Sequence, residues 1–185
     1  MNNLITKYIF ESPRLKARYF GSGDVSVLNE LHSDKIVVST TSGSPQTIKE
    51  TSTELLAMIA HLEKYGVAQM AFFDKMENFI GRCGIIYRSF ATEDDFSYEI
   101  RYAIHRSFQG LGYGAEAVFS YLNYIFTNQK IEIDTVIAGV RLDGHEASTK
   151  ILTKVGFHYV GNKIFRGNGK ETRMYEINKR DWKLG

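Results

Sequence analysis

The chain is poor in the features that mark secreted, membrane-spanning and nucleic-acid-binding proteins. It has one cysteine, Cys83, in 185 residues. An intramolecular disulfide is therefore impossible, and a reducing, cytoplasmic setting is expected. The flanks of Cys83 read as a strand, which makes it a buried structural thiol rather than a nucleophile. No segment reaches the roughly 18 consecutive apolar residues of a membrane-spanning helix. The opening Met1 to Lys7 lacks the apolar stretch and cleavage site of a secretory signal. Charge of one sign is not in excess: 23 Lys and Arg oppose 21 Asp and Glu, a formal net charge of +2. So small a balance gives no global field for nucleic acid, and no concentrated basic stripe replaces it. Internal repeats, low-complexity tracts and interdomain linkers are absent from the pattern too.

What is present fits a single domain over residues 1–185. Apolar residues make up 43% of the chain, enough for one substantial core. After the turn residues Ser12-Pro13, Leu15 to Phe20 reads as a strand. Asp24 is placed to cap a short helix toward His32. Ser39 to Pro45 reads as a loop. Thr47 or Thr51 opens a longer helix with Leu55, Ile59 and Leu62 on one face, closed by Gly66. Val67 to Phe73, Phe79 to Tyr87 and Phe96 to Ile104 are strand-like, and Asp74 to Asn78 is a tight hairpin loop. Gly112 to Thr127 is helical, with a stripe of Ala115, Val118, Phe119, Leu122, Ile125 and Phe126. Asp134 to Val140 is a strand and Gly144 to Val155 a helix. His158 to Phe165 and Thr172 to Ile177 are strands joined at Gly167-Asn168-Gly169. The order is β-α-α-β-β-β-α-β-α-β-β. It predicts a mixed α/β (α+β) fold whose sheet of about seven strands is mostly antiparallel, with helices on both faces.

The chemistry concentrates in Ile104-His105-Arg106-Ser107-Phe108-Gln109-Gly110-Leu111-Gly112-Tyr113-Gly114. A strand ends, a glycine-rich turn follows, and a helix begins at once. Unpaired N–H groups and the positive end of the helix dipole then converge on one point, a ready seat for a phosphate. A P-loop would need Lys-Ser or Lys-Thr after the last glycine, whereas Ala115 follows Gly114. A dinucleotide fold would place this turn after the first strand, not the fourth. A glycine-rich turn without a ligand remains the plain alternative.

Gln109-Gly110-Leu111-Gly112-Tyr113-Gly114 resembles the Gln/Arg-x-x-Gly-x-Gly/Ala signature of the GNAT acetyltransferase superfamily. His145-Glu146-Ala147-Ser148, followed by Ile151, Leu152, Gly156 and Phe157, resembles its second signature. Ser12-Pro13-Arg14-Leu15-Lys16-Ala17-Arg18 and Tyr98-Glu99-Ile100 are similar to the ribosomal-protein N-terminal acetyltransferase (RimJ/RimL-like) branch. The resemblance covers nearly the whole chain. It implies an acetyl-CoA-dependent N-acetyltransferase with no metal, whose acceptor is a protein N-terminus, a lysine or a small amine. A non-catalytic acyl-CoA-binding or sensing protein is the alternative. Oligomeric state is open, with a homodimer among the options.

The resemblance also implies residue roles. The pyrophosphate would lie on the turn amides of Gln109, Gly110, Leu111, Gly112, Tyr113 and Gly114. The pantetheine arm would meet backbone groups of Ile104 and Arg106, in a splay between the fourth and fifth strands. Ser148 would sit near the thioester sulfur, or else simply bond its own backbone at a helix start. The usual tyrosine of that helix is replaced by Leu152. His145 stands where the family has Asn and would contact either cofactor or solvent. Strand alternation puts Tyr98, Ile100, Tyr102 and Ile104 on one face, expected to be core, and Glu99, Arg101 and Ala103 on the other. Glu99 is the candidate general base. Arg101, its neighbour on that face, is expected to pair with it and lower its pKa, or to favour an acceptor bearing a carboxylate. The 39–45 loop and the hairpin at Asn168 are expected to frame the acceptor site.

Overall fold

The computed structural model describes residues 7–39, 43–89, 96–142, 146–164 and 169–182. Strands β1 (Phe10–Glu11) and β2 (Leu15–Tyr19) open the chain. Helices α1 (Val25–Ser33), α2 (Lys35–Ser39) and α3 (Ile48–Tyr65) follow. Then come β3 (Gln69–Asp74), β4 (Phe79–Ser89) and β5 (Phe96–Ile104). The chain continues through α4 (Tyr113–Thr127), β6 (Thr135–Arg141), α5 (Glu146–Val155), β7 (His158–Ile164) and β8 (Glu171–Asn178).

All the strands join one eight-stranded sheet in the order β1-β2-β3-β4-β5-β6-β8-β7. Every pairing is antiparallel except β5 with β6. The sheet is therefore mixed and mostly antiparallel, as expected, with one strand more than the pattern predicts. That strand is β1, whose two residues are too few for alternation to register. Helix α2 is the other unpredicted element. Its Val37 and Val38 are buried, and Asp34 Oδ1 accepts the Ile36 N–H at 2.8 Å to start the turn.

Two apolar layers cover the sheet. On one face, Val118, Tyr121, Leu122 and Ile125 of α4 pack with Met70, Phe72, Ile85 and Ile100. Leu152 and Val155 of α5 join the same core. On the other face, Leu28 of α1 and Leu55 and Met58 of α3 meet Ala71 and Phe73. Cys83 is fully buried, and burial pushes its thiol far above the ordinary value, so it stays a protonated core residue. No helix among the described residues is long and apolar enough to cross a membrane.

Local sequence accounts for most boundaries. Thr47 Oγ1 accepts the Glu50 N–H while Glu50 returns a bond to the Thr47 N–H, a capping box that starts α3. Gly66 ends it at φ 71°, a conformation that favours glycine. Asp24 does not cap α1 as expected. Its carboxylate is taken by the Gly21 N–H at 2.7 Å and by Arg18 at 2.6 Å. Phe119 leaves the expected core stripe of α4: it is 37% exposed and lies against Trp182 at 4.9 Å between ring centroids. Ala117 and Tyr121 take the buried positions instead.

Candidate active site

The expected fourth and fifth strands are β5 and β6. Their parallel ladder has one register pair, Glu99 with Ile137. Beyond it, toward Ile104 and Arg141, no further pair forms, although β4 pairs with β5 along its whole length. The sheet opens there. His105 donates its N–H to Ile80 O at 2.8 Å, across toward β4. Alternation along the strand then aims the amides of Ile104 and Tyr102 the other way, into the opening. Ile104 O faces the same way and accepts from Gln109 Nε2 at 2.9 Å.

A cavity of about 460 Å³ occupies this opening. Tyr102, Ala103 and Ile104 of β5 form one wall, and Ala147, Ser148 and Ile151 of α5 the opposite one. Phe108, Gln109, Gly110 and Gly112 of the turn, with Gly114 and Ala115 of α4, close one end. Lys150 and Lys154 stand on its rim side of α5. Gly110 and Gly112 adopt φ 76° and 83°, which only glycine takes without strain. The first intrahelical bond of α4 runs from the Glu116 N–H to Gly112 O. The amides of Tyr113, Gly114 and Ala115 are thus left without helical partners at the positive helix end. A Cβ on Gly114 would come within 2.9 Å of Ile151 Cδ1, so glycine there lets α4 and α5 approach.

The turn is braced from behind by Arg14. Its Nε meets Glu116 Oε2 at 2.6 Å, its Nη1 donates to Leu111 O at 3.0 Å, and its guanidinium lies 4.3 Å from the Tyr113 ring centroid. Glu116 also accepts from Ser12 Oγ at 2.7 Å and from the Arg14 N–H at 2.9 Å.

Several expected site residues therefore converge: Ile104, Gln109, Gly110, Gly112, Gly114 and Ser148 line one cavity. Three do not. The Tyr113 ring turns away onto Arg14 and Phe108. Leu111 borders a neighbouring hollow of about 780 Å³ between α4 and the β1–β2 turn. Arg106 spends its carbonyl on the Gln109 N–H at 3.3 Å, closing a short 3-10 turn. His145 lies outside the described residues, as do 40–42 of the predicted loop and Asn168 of the predicted hairpin.

Tyr102 was not legible as a site residue. Alternation assigns it to the core, yet it is half-buried and its hydroxyl reaches Ser148 O at 3.3 Å across the cavity. Burial raises its pKa far above the ordinary phenol value, against a smaller lowering by the Ser148 contact, so the hydroxyl keeps its proton. Leu152, at the family's tyrosine position, is 1% exposed and belongs to the core.

Glu99 lies on the opposite face of β5 from Tyr102 and does not line the cavity. The expected Glu99–Arg101 ion pair is not the one formed. Glu99 Oε2 instead sits 2.8 Å from Arg88 Nε. Nor is its pKa lowered. Burial raises it, and the fields of Arg101 and Arg88 only partly oppose that. A buried polar network extends from this face. His32 Nδ1 lies 2.9 Å from Gln46 Oε1, Gln46 Nε2 donates to Glu54 at 2.8 Å, and Arg82 donates to Gln69. Burial and the Arg82 charge lower the His32 pKa, which keeps the ring neutral. No group of three or more metal-ligating side chains forms among the described residues.

The sheet splits between its two parallel strands, and the free amides of a helix end stand at the mouth of the split. Residues 14–158 match the family model "Acetyltransferase (GNAT) domain", and the chain belongs to that family. Among similar solved structures is an acetyltransferase of the GNAT family from Bacillus anthracis, 19% identical, with a TM-score of 0.73 over 92% of this chain and 98% of that one. The RimL ribosomal L7/L12 alpha-N-protein acetyltransferase in complex with coenzyme A is 18% identical, with a TM-score of 0.73 over 93% and 98%. The spermidine N-acetyltransferase from Vibrio cholerae, with CoA and spermine, is 18% identical, with a TM-score of 0.70 over 91% and 98%.

Proposed function

We propose that the protein transfers acetyl from acetyl-CoA to a primary amine by direct attack on the thioester. The observation that carries this reading is the cavity in the β5–β6 opening. It has the glycine-rich turn and the start of α4 at one end, and Tyr102 and Ser148 on facing walls, the Tyr102 hydroxyl donating to the Ser148 carbonyl at 3.3 Å. The pyrophosphate rests on the amides from Gly110 to Gly114. The pantetheine arm takes the Ile104 backbone groups that point into the opening, displacing the Gln109 side chain from Ile104 O. The Tyr102 amide, unpaired by the splay, is placed to stabilise the tetrahedral oxyanion.

The neutral amine nitrogen attacks the carbonyl carbon, the C–S bond breaks, and the departing thiolate accepts a hydrogen bond from the Tyr102 or Ser148 hydroxyl and takes its proton from solvent. Glu99, reached through the splay or by one water, accepts the proton that the amine must lose. Its raised pKa suits that task. Ser148, together with Tyr98-Glu99-Ile100, supports placement in the RimJ/RimL-like branch, and the single cysteine, Cys83, suits a cytoplasmic setting.

The test is release of free thiol from acetyl-CoA across a panel of amines and peptide N-termini, alongside the thermal shift produced by acetyl-CoA. Amine-dependent thiol release supports catalysis. A thermal shift with no turnover for any amine favours the non-catalytic acyl-CoA binder instead.

A further inference from the structure

The β5 face that carries Glu99 is rich in arginine. The β4–β5 register sets Arg82, Arg88, Glu99 and Arg101 on one side of the sheet. The parallel pair Glu99–Ile137 brings Arg141 of β6 to that side as well. The carboxylates there are already engaged. Glu99 is held by Arg88 at 2.8 Å, and Glu54 by Gln46 at 2.8 Å with Arg82 at 3.9 Å. Arg101 differs: among the described residues it makes no hydrogen bond and no ion pair. It is nevertheless half-buried and central, since its charge acts on His32, Glu54, Arg82, Arg88 and Glu99 alike. With His32 neutral, the guanidinium is surplus positive charge in a partly desolvated place, where an anion would complete its hydrogen bonding.

Resting on the acetyl transfer proposed above, we infer that Arg101 binds an anionic group of the acceptor, so that the substrate is a small primary amine carrying a carboxylate or phosphate. Arg101 and Glu99 are two residues apart on one strand face, about 7 Å along the backbone. An acceptor whose anionic group lies a few bonds from its nitrogen can reach both. Ala103 packs against Leu31 and Val37 one step further on, and Arg141 Nη1 reaches Ser39 O at 3.5 Å, so α1 and α2 lie against this face of the sheet. The same arginines repel polycationic amines, which separates this acceptor class from that of a polyamine enzyme.

The experiment compares kcat/KM for matched acceptors: amino acids, their carboxamides, aminoalkyl phosphates and spermidine. Product-side binding of N-acetyl amino acids and their amides, in the presence of CoA, is measured by calorimetry. The expected result is a preference of about 10- to 100-fold for the anionic member of each pair. Arg101→Gln should remove this preference by raising KM for the anionic acceptor alone, with acetyl-CoA affinity unchanged. The carboxylate and phosphate arms identify which anion fits. Turnover best with spermidine, an equal response of charged and neutral acceptors to Arg101→Gln, or no anion-dependent turnover or binding at all would overturn the inference. Turnover confined to neutral or cationic amines would overturn it while leaving the acetyl transfer intact. Loss of both acetyl-CoA binding and turnover would count against that transfer itself.

Discussion

Arg88 Nε lies 2.8 Å from Glu99 Oε2, tying the end of β4 to the strand that carries the candidate base. Burial raises the Glu99 pKa above the ordinary 4.5, and the two nearby arginines, Arg101 and Arg88, pull against it. The balance makes Glu99 a carboxylate that still ionises but holds a proton more readily than an exposed one.

The pH dependence of turnover follows from this balance. A base works only when deprotonated, so kcat/KM should fall as pH drops through the raised Glu99 pKa, above the usual carboxylate range. Arg88→Ala removes a charge that favours ionisation, which raises that pKa further and moves the acid limb to higher pH. Glu99→Gln should cost about 10²- to 10⁴-fold near neutrality, and less at high pH, where more amine is already neutral. pH–rate profiles of the three proteins check this. Coincident profiles would leave Glu99 as a structural partner of Arg88.

Stabilisation of the leaving thiolate is a separate matter. Ser148→Ala and Tyr102→Phe should each lower kcat while leaving acetyl-CoA affinity nearly unchanged, and the double variant should lose less than the product of the two if they act as one unit. Single-turnover and steady-state rates with one acceptor measure this. Wild-type kcat in both single variants would return Ser148 to a helix-start role and Tyr102 to the cavity wall.

The cofactor seat predicts a binding defect rather than a rate defect. Gly112 sits at φ 83°, and a Cβ there would come within 3.4 Å of the Arg14 guanidinium. Gly112→Glu adds backbone strain and a negative charge beside the pyrophosphate. The thermal shift given by acetyl-CoA should vanish, since only a ligand bound to the native state raises the melting temperature. Gly112→Ala, with strain but no charge, should keep part of the shift. An undiminished shift in the folded Gly112→Glu protein would remove the turn from the site.

The glycine-rich turn and the strand ladder were legible because they rest on local signals, glycines needing left-handed backbone, alternation and a β-α-β crossover, whereas the splay was expected only from the family resemblance. Partners set by tertiary contact were not. Arg88 and Glu99 meet diagonally across the β4–β5 ladder, and their pairing depends on a register that the intervening turn does not declare. The nearer Arg101 was therefore the natural expectation. Tyr102 has the alternation of a core residue, but the strand face it shares with Ile100 opens at its own level, where β6 has left the ladder. Phe119 fits the helical stripe and is drawn instead onto Trp182, a residue that no local period can connect to it.

Buried polar groups near the acceptor face make stability sensitive to acid. His32 is 3% exposed, and burial and Arg82 hold its pKa below the ordinary 6.5. The unfolded chain then binds a proton that the folded chain refuses. Stability from this group is complete above 6.5 and is lost as pH falls from there through the depressed folded value. Melting temperature should decline over that window, and His32→Gln, which cannot titrate, should flatten the decline. A parallel pair of melting curves across pH 4.5 to 7.5, about the range between ordinary carboxylate and imidazole values, would decide it.

Arg14 gives the most discriminating test of how the cofactor turn is held. Three separate contacts meet in one guanidinium: the Glu116 carboxylate, the Leu111 carbonyl and the Tyr113 ring. None of them lies inside the cavity, so Arg14 acts on the cofactor only through the turn. Arg14→Ala should raise KM for acetyl-CoA by about tenfold, the order expected for losing one or two charge-assisted hydrogen bonds. The kcat at saturating acetyl-CoA should stay close to wild type, because the thioester end of the cavity is untouched. Arg14→Lys keeps the charge but loses the planar fork that engages Glu116 and Leu111 together, so it should rescue little. Glu116→Gln leaves the Leu111 contact in place and should show a milder rise in KM. Steady-state kinetics of the three variants with a single acceptor provide the comparison. A fall in kcat without a change in acetyl-CoA KM, or full rescue by lysine, would show that the fork does not set the turn, and that Arg14 serves only as a surface charge beside it.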